Sequence, residues 1–195
     1  MSTLLQIAQL GHPILRTVAS PVTDVNDPAI SLLIDDLIAT VMDANGVGIS
    51  APQVYRPLRL FILASHPNPR YPNAPDMKPT AVINPRIVSH QRKKETDWEG
   101  CLSIPGIRGL VPRFHSIQVE YTSRHGRRVT AAYTGFVARI FQHEFDHLKG
   151  ITFLERVATT KDLVSEKEYQ KLIQNSVPKE YAHQKIITST SKTIS

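Results

Sequence analysis

Cysteine is almost missing from this sequence: Cys101 is the only one in 195 residues, so no intrachain disulfide can form. This excludes a disulfide-stapled secreted scaffold and favours a metal-binding or catalytic thiol in a reducing compartment. Long apolar runs are also missing, because residues 60–64 fall far short of the about 20 residues that a membrane-spanning helix needs. The N-terminus lacks the basic and apolar segments of a signal peptide. We therefore expect a cytoplasmic protein with no membrane contact.

Acidic residues are the scarcer charged class, with 17 Asp and Glu against 23 Lys and Arg and a formal net charge of +6. A basic balance can indicate a nucleic-acid partner. No nucleic-acid-binding motif occurs, however, and the aromatic residues are not interleaved with Arg and Lys. We interpret the charge as a solubility feature and expect no specific nucleic-acid site. The remaining composition, 41% hydrophobic and 21% charged, is typical of a globular domain with a core of its own.

Helices are predicted from apolar residues at helical spacing over residues 28–44, 134–149 and 165–175. Asp27 can cap the start of the first helix, and Gly150 can end the second. The third is expected because Ser165 and Glu168 form a capping-box pattern.

Strands are predicted over residues 58–64, 81–84, 87–88, 116–123 and 129–133. The last two indicate a hairpin, because His125-Gly126 lies between them. Segment 46–53 contains Gly and Pro and is expected to be a loop without regular structure, and segment 66–79, with five prolines, is expected to be a surface loop. The prediction is an α+β fold in which short, mostly antiparallel strands pack around one central helix, residues 134–149.

The segment His143-Glu144-Phe145-Asp146-His147 carries the strongest chemical signal. On a helix, His143 and His147 lie one turn apart on the same face, as two ligands of one metal ion require. Glu144 lies beside the first histidine, where it can take a proton from a water molecule. The alternative is a solvated polar helix face. The apolar neighbours Ile140 and Leu148 argue against it, so we interpret the segment as a metal site.

Two histidines do not complete a hydrolytic metal site, which usually has three protein ligands and one open position. Downstream, His183 lies in a polar tail, and Glu155 follows the helix too closely. Upstream, Cys101 lies in the segment Glu99-Gly100-Cys101-Leu102-Ser103. A lone cysteine is more often an inert buried residue. The glycine before it and Pro105-Gly106 after it instead indicate a turn, in which a thiolate would be stable as a ligand or beside a cation.

Three segments together resemble the signature of the peptide deformylases: Gly46-Val47-Gly48-Ile49-Ser50-Ala51-Pro52-Gln53, Glu99-Gly100-Cys101-Leu102-Ser103 and Gln142-His143-Glu144-Phe145-Asp146-His147-Leu148. Their order and spacing match that family, and the resemblance extends over roughly residues 4–157. Ser50 departs from the pattern, because family members usually carry Ala there. Since both residues are small, we expect the loop to keep its shape, although turnover or substrate preference can differ.

The resemblance implies one divalent metal ion held by Cys101, His143 and His147, with water at the fourth position. In this family the native metal is typically ferrous iron, with zinc or nickel able to replace it, and the sequence does not choose among them. The implied substrates are N-formylmethionyl peptides and nascent chains. The implied products are formate and a free amine.

The same resemblance assigns roles around the metal. Glu144 would serve as general base and then general acid, while the Gln53 amide and the Leu102 backbone N–H would stabilise negative charge on the formyl oxygen. An amide that only satisfies local backbone is the alternative for Gln53. Glu99 would fix its surroundings rather than transfer protons. The walls of the methionine pocket would be Val47, Gly48 and Ile140.

Asp146 can orient a ligand histidine or pair with Arg108 or Arg113, and its position alone does not decide between these. Two rival functions also stay open. One is a different metalloamidase or peptidase with the same helix, against which Cys101 and the Gln53 loop argue. The other is a non-catalytic metal-binding or ribosome-binding module, against which the intact Glu144 argues.

The resemblance to the peptide deformylases predicts two parts of the chain. Residues 1–160 would form the deformylase-like catalytic domain, and residues 161–195 would form a C-terminal helix with a polar tail. Thr and Ser dominate from residue 188 onward, so part of the tail is expected to be disordered. Six lysines after Ala158 suit a transient contact with ribosomal RNA, and a frayed, solvated end accounts for them equally well.

Overall fold

The computed structural model describes residues 2–174 and has two antiparallel sheets and three α-helices in that range. The helices are α1 (Pro28–Asp43), α2 (Gly135–His147) and α3 (Glu166–Gln174). The strands are β1 (Gly48–Ser50), β2 (Leu60–Leu63), β3 (Thr80–His90), β4 (Lys94–Cys101), β5 (Ile104–Phe114), β6 (Ser116–Thr122), β7 (Arg128–Thr134) and β8 (Leu163–Ser165). This mixture of helices and antiparallel strands confirms the predicted α+β class.

The larger sheet has the strand order β1-β2-β3-β6-β7, and the smaller sheet has the order β4-β5-β8. Side chains alternate between the two faces of a strand, so β2 serves two hydrophobic layers. Leu60 and Ile62 pack with Leu37 and Val41 of α1. Phe61 packs on the opposite face, edge-to-face with Phe141 of α2 at 5.1 Å between ring centroids. Helix α2 therefore packs against the larger sheet, and it corresponds to the central helix predicted over residues 134–149.

The predicted helix ends agree with the structure to within one or two residues. Asp27 accepts a hydrogen bond from the backbone N–H of Ala29 at 2.8 Å, which caps α1. Gly150 has φ +70°, and an added Cβ would lie 2.4 Å from the carbonyl oxygen of Arg16. Both the backbone conformation and the close approach require glycine after α2. At α3, the Ser165 hydroxyl accepts from the Glu168 N–H at 3.3 Å.

Segment 46–53 is only partly a loop, so the prediction of no regular structure there was wrong. Residues 48–50 form β1, which pairs with β2 in the register Gly48↔Leu63. A 3-10 helix, Ala51–Val54, follows directly. Proline is tolerated at the start of a helix, and the edge of β2 supplies backbone partners to β1. That pairing is a long-range contact, which local composition does not reveal.

The two short strands predicted at 81–84 and 87–88 form one strand, β3, which runs past Pro85. Asn84 has φ +49°, and the pairing of β3 with β6 shifts register there. The Asn84 amide accepts from the Val22 N–H at 2.9 Å and donates to the Val22 carbonyl at 2.8 Å. These two hydrogen bonds stabilise a bulge that lets the strand continue.

The C-terminal part of the described chain packs on the smaller sheet. Strand β8 pairs with β5, and Tyr169 of α3 contacts Trp98 edge-to-face at 5.6 Å. The division of the chain at residue 160 stays a prediction. The expected disorder after residue 188 and most of the lysine-rich tail lie outside the described residues, so the ribosome contact also stays a prediction. Within residues 2–174, no helix has the length and hydropathy needed to cross a bilayer.

Candidate metal centre

Three of the predicted site residues bring their ligand atoms together between α2 and the smaller sheet. His143 and His147 lie one turn apart on α2, and Cys101 is the last residue of β4, before the turn at Leu102 and Ser103. The ligand atoms of Cys101, His143 and His147 all lie within 4.8 Å of one another. The Cys101 Sγ lies 3.3 Å from Nε2 of His147. One α-helical turn and one β-hairpin thus build the cluster.

His143 is oriented by a buried carboxylate. Its Nδ1 lies 2.9 Å from Oε2 of Glu99, which leaves Nε2 for the cluster. Glu99 in turn accepts hydrogen bonds from Arg113 at 2.9 and 3.0 Å and from Arg139 at 2.9 Å. Burial by itself raises the pKa of Glu99, but the charge of Arg113 and the hydrogen bonds from His143 and Arg113 hold it well below its ordinary value. Glu99 is therefore ionised and fixed in place.

Asp146 pairs with Arg113 and Arg156 rather than with Arg108. Its Oδ2 accepts from Arg113 at 2.5 Å, and its Oδ1 accepts from Arg156 at 2.6 Å. Arg108 instead donates to Glu166 at 2.7 Å. Of the partners considered from the sequence, Arg113 was therefore right and Arg108 was wrong. The reason is sheet register: Arg108 of β5 lies opposite Val164 of β8, two residues before Glu166.

The pKa shifts at the cluster suit Cys101 as a metal ligand and Glu144 as a base. Burial by itself raises the pKa of Cys101, but the charge of His147 and hydrogen bonds from His143 and His147 hold it well below its ordinary value. The thiolate is the form that binds metal. At Glu144, burial raises the pKa to about 7.

Two buried polar atoms at the cluster have no hydrogen-bond partner among the described residues: Oε2 of Glu144 and Nδ1 of His147. Such atoms cost free energy unless a ligand or water satisfies them. A thiolate with two imidazoles is a donor set suited to first-row divalent ions. With three protein ligands, such a site keeps one position open for water or substrate. The residues present therefore fit a catalytic metal ion.

A cavity opens beside the cluster. Its lining includes all three predicted wall residues, Val47, Gly48 and Ile140, together with Leu102 and Gln53. It also includes residues that the sequence did not single out: Arg70, Tyr71, Trp98, Phe136 and Arg139. These residues lie outside the motif segments, in the loop before β3, in β4 and in the first turns of α2, so only the fold assembles them.

Gln53 lies against the metal cluster with its amide oriented by neighbours on both sides. Its Oε1 accepts from the backbone N–H and the hydroxyl of Ser50, at 2.8 and 2.9 Å. Its Nε2 donates to the Ser103 hydroxyl at 3.2 Å and lies 3.4 Å from the Cys101 sulfur. The structure thus brings the amide nitrogen of Gln53 to the edge of the cluster.

Comparison with known proteins places this geometry in a family. The family model described as polypeptide deformylase matches residues 4–163. Peptide deformylase 2 from Nostoc sp. is 59% identical over 170 residues, covering 87% of this chain and 95% of that protein. Peptide deformylase 2 from Shewanella oneidensis is 51% identical over 152 residues, covering 78% of this chain and 83% of that protein.

Solved structures agree with the sequence relatives. The Met-Ala-Ser-bound class I type b peptide deformylase from Acinetobacter baumannii superposes with a TM-score of 0.79 at 45% identity, covering 80% of this chain and all of that one. The family match spans most of the chain and includes the cysteine, both histidines and Glu144. The chain therefore belongs to the peptide deformylase family and is a hydrolase.

Proposed function

We propose that this enzyme removes the formyl group from the N-terminus of N-formylmethionyl nascent polypeptides, releasing formate and a free amine. The observation that carries the proposal is the convergence of the Cys101, His143 and His147 ligand atoms beside the unpartnered Oε2 of Glu144. Membership of the family supports the reaction. The solved relative that binds Met-Ala-Ser supports a peptide with N-terminal methionine as ligand.

The metal would be held by the Cys101 thiolate and by one imidazole nitrogen each of His143 and His147. Ferrous iron is the proposed ion, with zinc or nickel as substitutes. A divalent ion in this site supplies Lewis acidity, which lowers the pKa of a coordinated water molecule. Glu99 keeps His143 in the tautomer and orientation that metal binding needs.

Glu144 would move the proton. Its Oε2 is buried beside the cluster and free to accept the proton of the attacking water, then to deliver it to the departing nitrogen. A group whose pKa lies near the working pH can both accept and donate a proton. Burial raises the pKa of Glu144 to about 7, which suits both roles. Glu144 is therefore proposed as general base and general acid.

The Gln53 amide and the Leu102 backbone N–H would donate hydrogen bonds to the oxygen of the formyl group as it gains negative charge. Preoriented donors stabilise that charge without reorganising during the reaction. Val47, Gly48 and Ile140 line the cavity and would contact the methionine side chain. Gly48 has no side chain, so a small formyl group can approach Glu144 closely.

The test is anaerobic formate release from formyl-Met-Ala-Ser by the iron-loaded full chain and by Glu144→Gln. We expect release by the wild type and a loss of roughly 10²- to 10⁴-fold in the variant, the range for removing a general base. Glu168→Gln is the matched control and should keep full activity, because Glu168 is exposed and its carboxylate pairs with Lys171 on the same helix. Equal activity of Glu144→Gln and wild type would contradict the role of Glu144.

The rival metallopeptidase or amidase is tested in the same assay with acetyl-Met-Ala-Ser and unformylated Met-Ala-Ser. The proposal predicts turnover of neither peptide, because neither carries the formyl group that the enzyme is proposed to remove. Cleavage of the unformylated peptide would favour the rival peptidase. Absence of turnover on every substrate, with one metal ion bound per chain, would favour a non-catalytic module.

A further inference from the structure

Ser50 directly contacts the side-chain amide of Gln53 from inside the fold. Both residues are buried, with 0% and 1% of their surface exposed. The backbone N–H and the hydroxyl of Ser50 donate to the same oxygen, Oε1 of Gln53, at 2.8 and 2.9 Å. An alanine at position 50 could supply only the first of these hydrogen bonds.

The backbone N–H of Ser50 fixes which end of the amide faces it. A backbone N–H can only donate, so the atom opposite must be the oxygen of Gln53. The nitrogen then faces the other way, towards the Ser103 hydroxyl at 3.2 Å and the Cys101 sulfur at 3.4 Å. This orientation aims the amide N–H groups at the candidate metal ligand Cys101 and at the neighbouring Ser103.

The hydroxyl adds to this arrangement in two ways. A second hydrogen bond on the same oxygen restricts rotation of the amide about its final torsion, which is otherwise broad. It also polarises the amide, since hydrogen bonds in a chain strengthen one another in a buried, weakly screening environment. An amide whose oxygen accepts two hydrogen bonds is a stronger N–H donor than one that accepts a single bond.

We propose that Ser50 is a positioning residue, whose hydroxyl restrains and polarises the Gln53 amide and so strengthens its hydrogen bond to the reacting carbonyl. This inference rests on the proposed function, because it acts through the role given there to Gln53.

The first experiment measures the amide itself and does not depend on turnover. In the metal-free full chain, the Gln53 side-chain NH₂ signals are assigned in ¹H–¹⁵N NMR by their loss in Gln53→Ala. Ser50→Ala should move these signals upfield, because a less polarised N–H is less deshielded. Ser65→Ala is the matched control: Ser65 is equally buried, and its hydroxyl donates to the Pro75 carbonyl instead. Unchanged Gln53 signals in Ser50→Ala would overturn the inference.

The second experiment measures deformylation by the iron-loaded variants. Ser50→Ala should lower kcat by roughly three- to tenfold, the worth of one hydrogen bond, while KM changes less than about twofold. In a Gln53→Ala background the same substitution should cause no further loss. An equal loss in both backgrounds would show that Ser50 acts on the loop and not through Gln53. A wild type that releases no formate contradicts the proposed function, whereas the NMR result tests the Ser50–Gln53 contact independently.

Discussion

Gly48 shows how a missing side chain shapes the candidate site. An added Cβ would lie 2.6 Å from Oε1 of Glu144 and 2.9 Å from Cγ2 of Ile140. Real Cβ atoms do not approach other heavy atoms so closely, so one of these groups would have to move. A side chain at position 48 would therefore displace the carboxylate of the proposed base or the side chain of Ile140.

Gly48→Ala is expected to lower kcat/KM for formate release by about a hundredfold, because a displacement of about 1 Å at a reacting group costs that much. Steady-state kinetics on formyl-Met-Ala-Ser measures it. Ile49→Val is the control, since Ile49 lies on the same strand but packs with the α1 cluster. A variant Gly48→Ala with wild-type kinetics would show that Glu144 does not need its present position.

At the scale of elements, α3 is joined to the site through Arg108 of β5. Arg108 is fully buried, donates to Glu166 at 2.7 Å and to the Tyr71 hydroxyl at 2.8 Å, and lies over the Tyr169 ring at 4.9 Å. An added Cβ on Gly100 would lie 2.9 Å from the same guanidinium. One cation thus links the C-terminal helix, the loop that carries Tyr71 and the strand that ends at Cys101.

The Arg108–Glu166 pair predicts a pH-dependent contribution to stability. Burial by itself raises the pKa of Glu166, but the hydrogen bonds from Arg108 and Gln170 and the charge of Arg108 hold it below its ordinary value of 4.5. A carboxyl group with a lowered pKa stabilises the fold fully at neutral pH. That contribution is lost as the pH falls below 4.5 and through the folded-state pKa.

Glu166→Gln should therefore lower the free energy of unfolding by about 1–3 kcal/mol at pH 7, the range for a hydrogen bond to a charged group. The difference from wild type should shrink as both proteins are acidified below the ordinary pKa of the carboxyl group. Urea denaturation at several pH values measures it. Glu168→Gln on the same helix should change stability by less than about 1 kcal/mol, because its ion pair is exposed. A difference independent of pH would contradict the assignment to this ion pair.

At the scale of the whole molecule, the candidate ligands come from two structural units. Cys101 ends a strand of the smaller sheet, whereas His143 and His147 belong to the helix that packs beneath the larger one. The buried ion pairs Arg113–Asp146 and Arg139–Glu99 join the same two units. A metal ion bound by all three ligands would therefore fasten the sheet to the helix.

Removing the metal should lower the melting temperature of the full chain by roughly 5–10 °C, because a ligand held only by the folded state stabilises it by mass action. Calorimetry with excess metal and then with chelator measures the shift. Cys101→Ser, which lacks one ligand, should show a much smaller shift. A wild type with the same melting temperature in both conditions would contradict a metal bound by this cluster.

Local sequence determined helices α1 to α3, strands β2, β3, β6 and β7 and the chemical character of the site, whereas strands β1, β4, β5 and β8 were not predicted. On any helix, the four-residue spacing of His143 and His147 places both side chains on one face as a possible pair of ligands. The alternation of apolar and polar residues over 116–133 likewise indicates the two paired strands of a hairpin. Both are short-range properties of the backbone, so they can be inferred without the tertiary structure. Cys101 was assigned by its resemblance to a family motif, since no local spacing relates it to α2.

The tertiary structure decided which distant segments meet. In the folded chain β1 pairs with β2, and β3 continues past Pro85. Asp146 accepts a hydrogen bond from Arg113, and the Ser50 hydroxyl donates one to the Gln53 amide. The fold also brings Tyr71, Trp98 and Phe136 to the cavity wall. These contacts join residues far apart in the chain, and their free energy depends on burial and on hydrogen-bond partners that exist only once the sheets have formed. The sequence alone therefore indicated the chemistry, while packing decided which groups orient it.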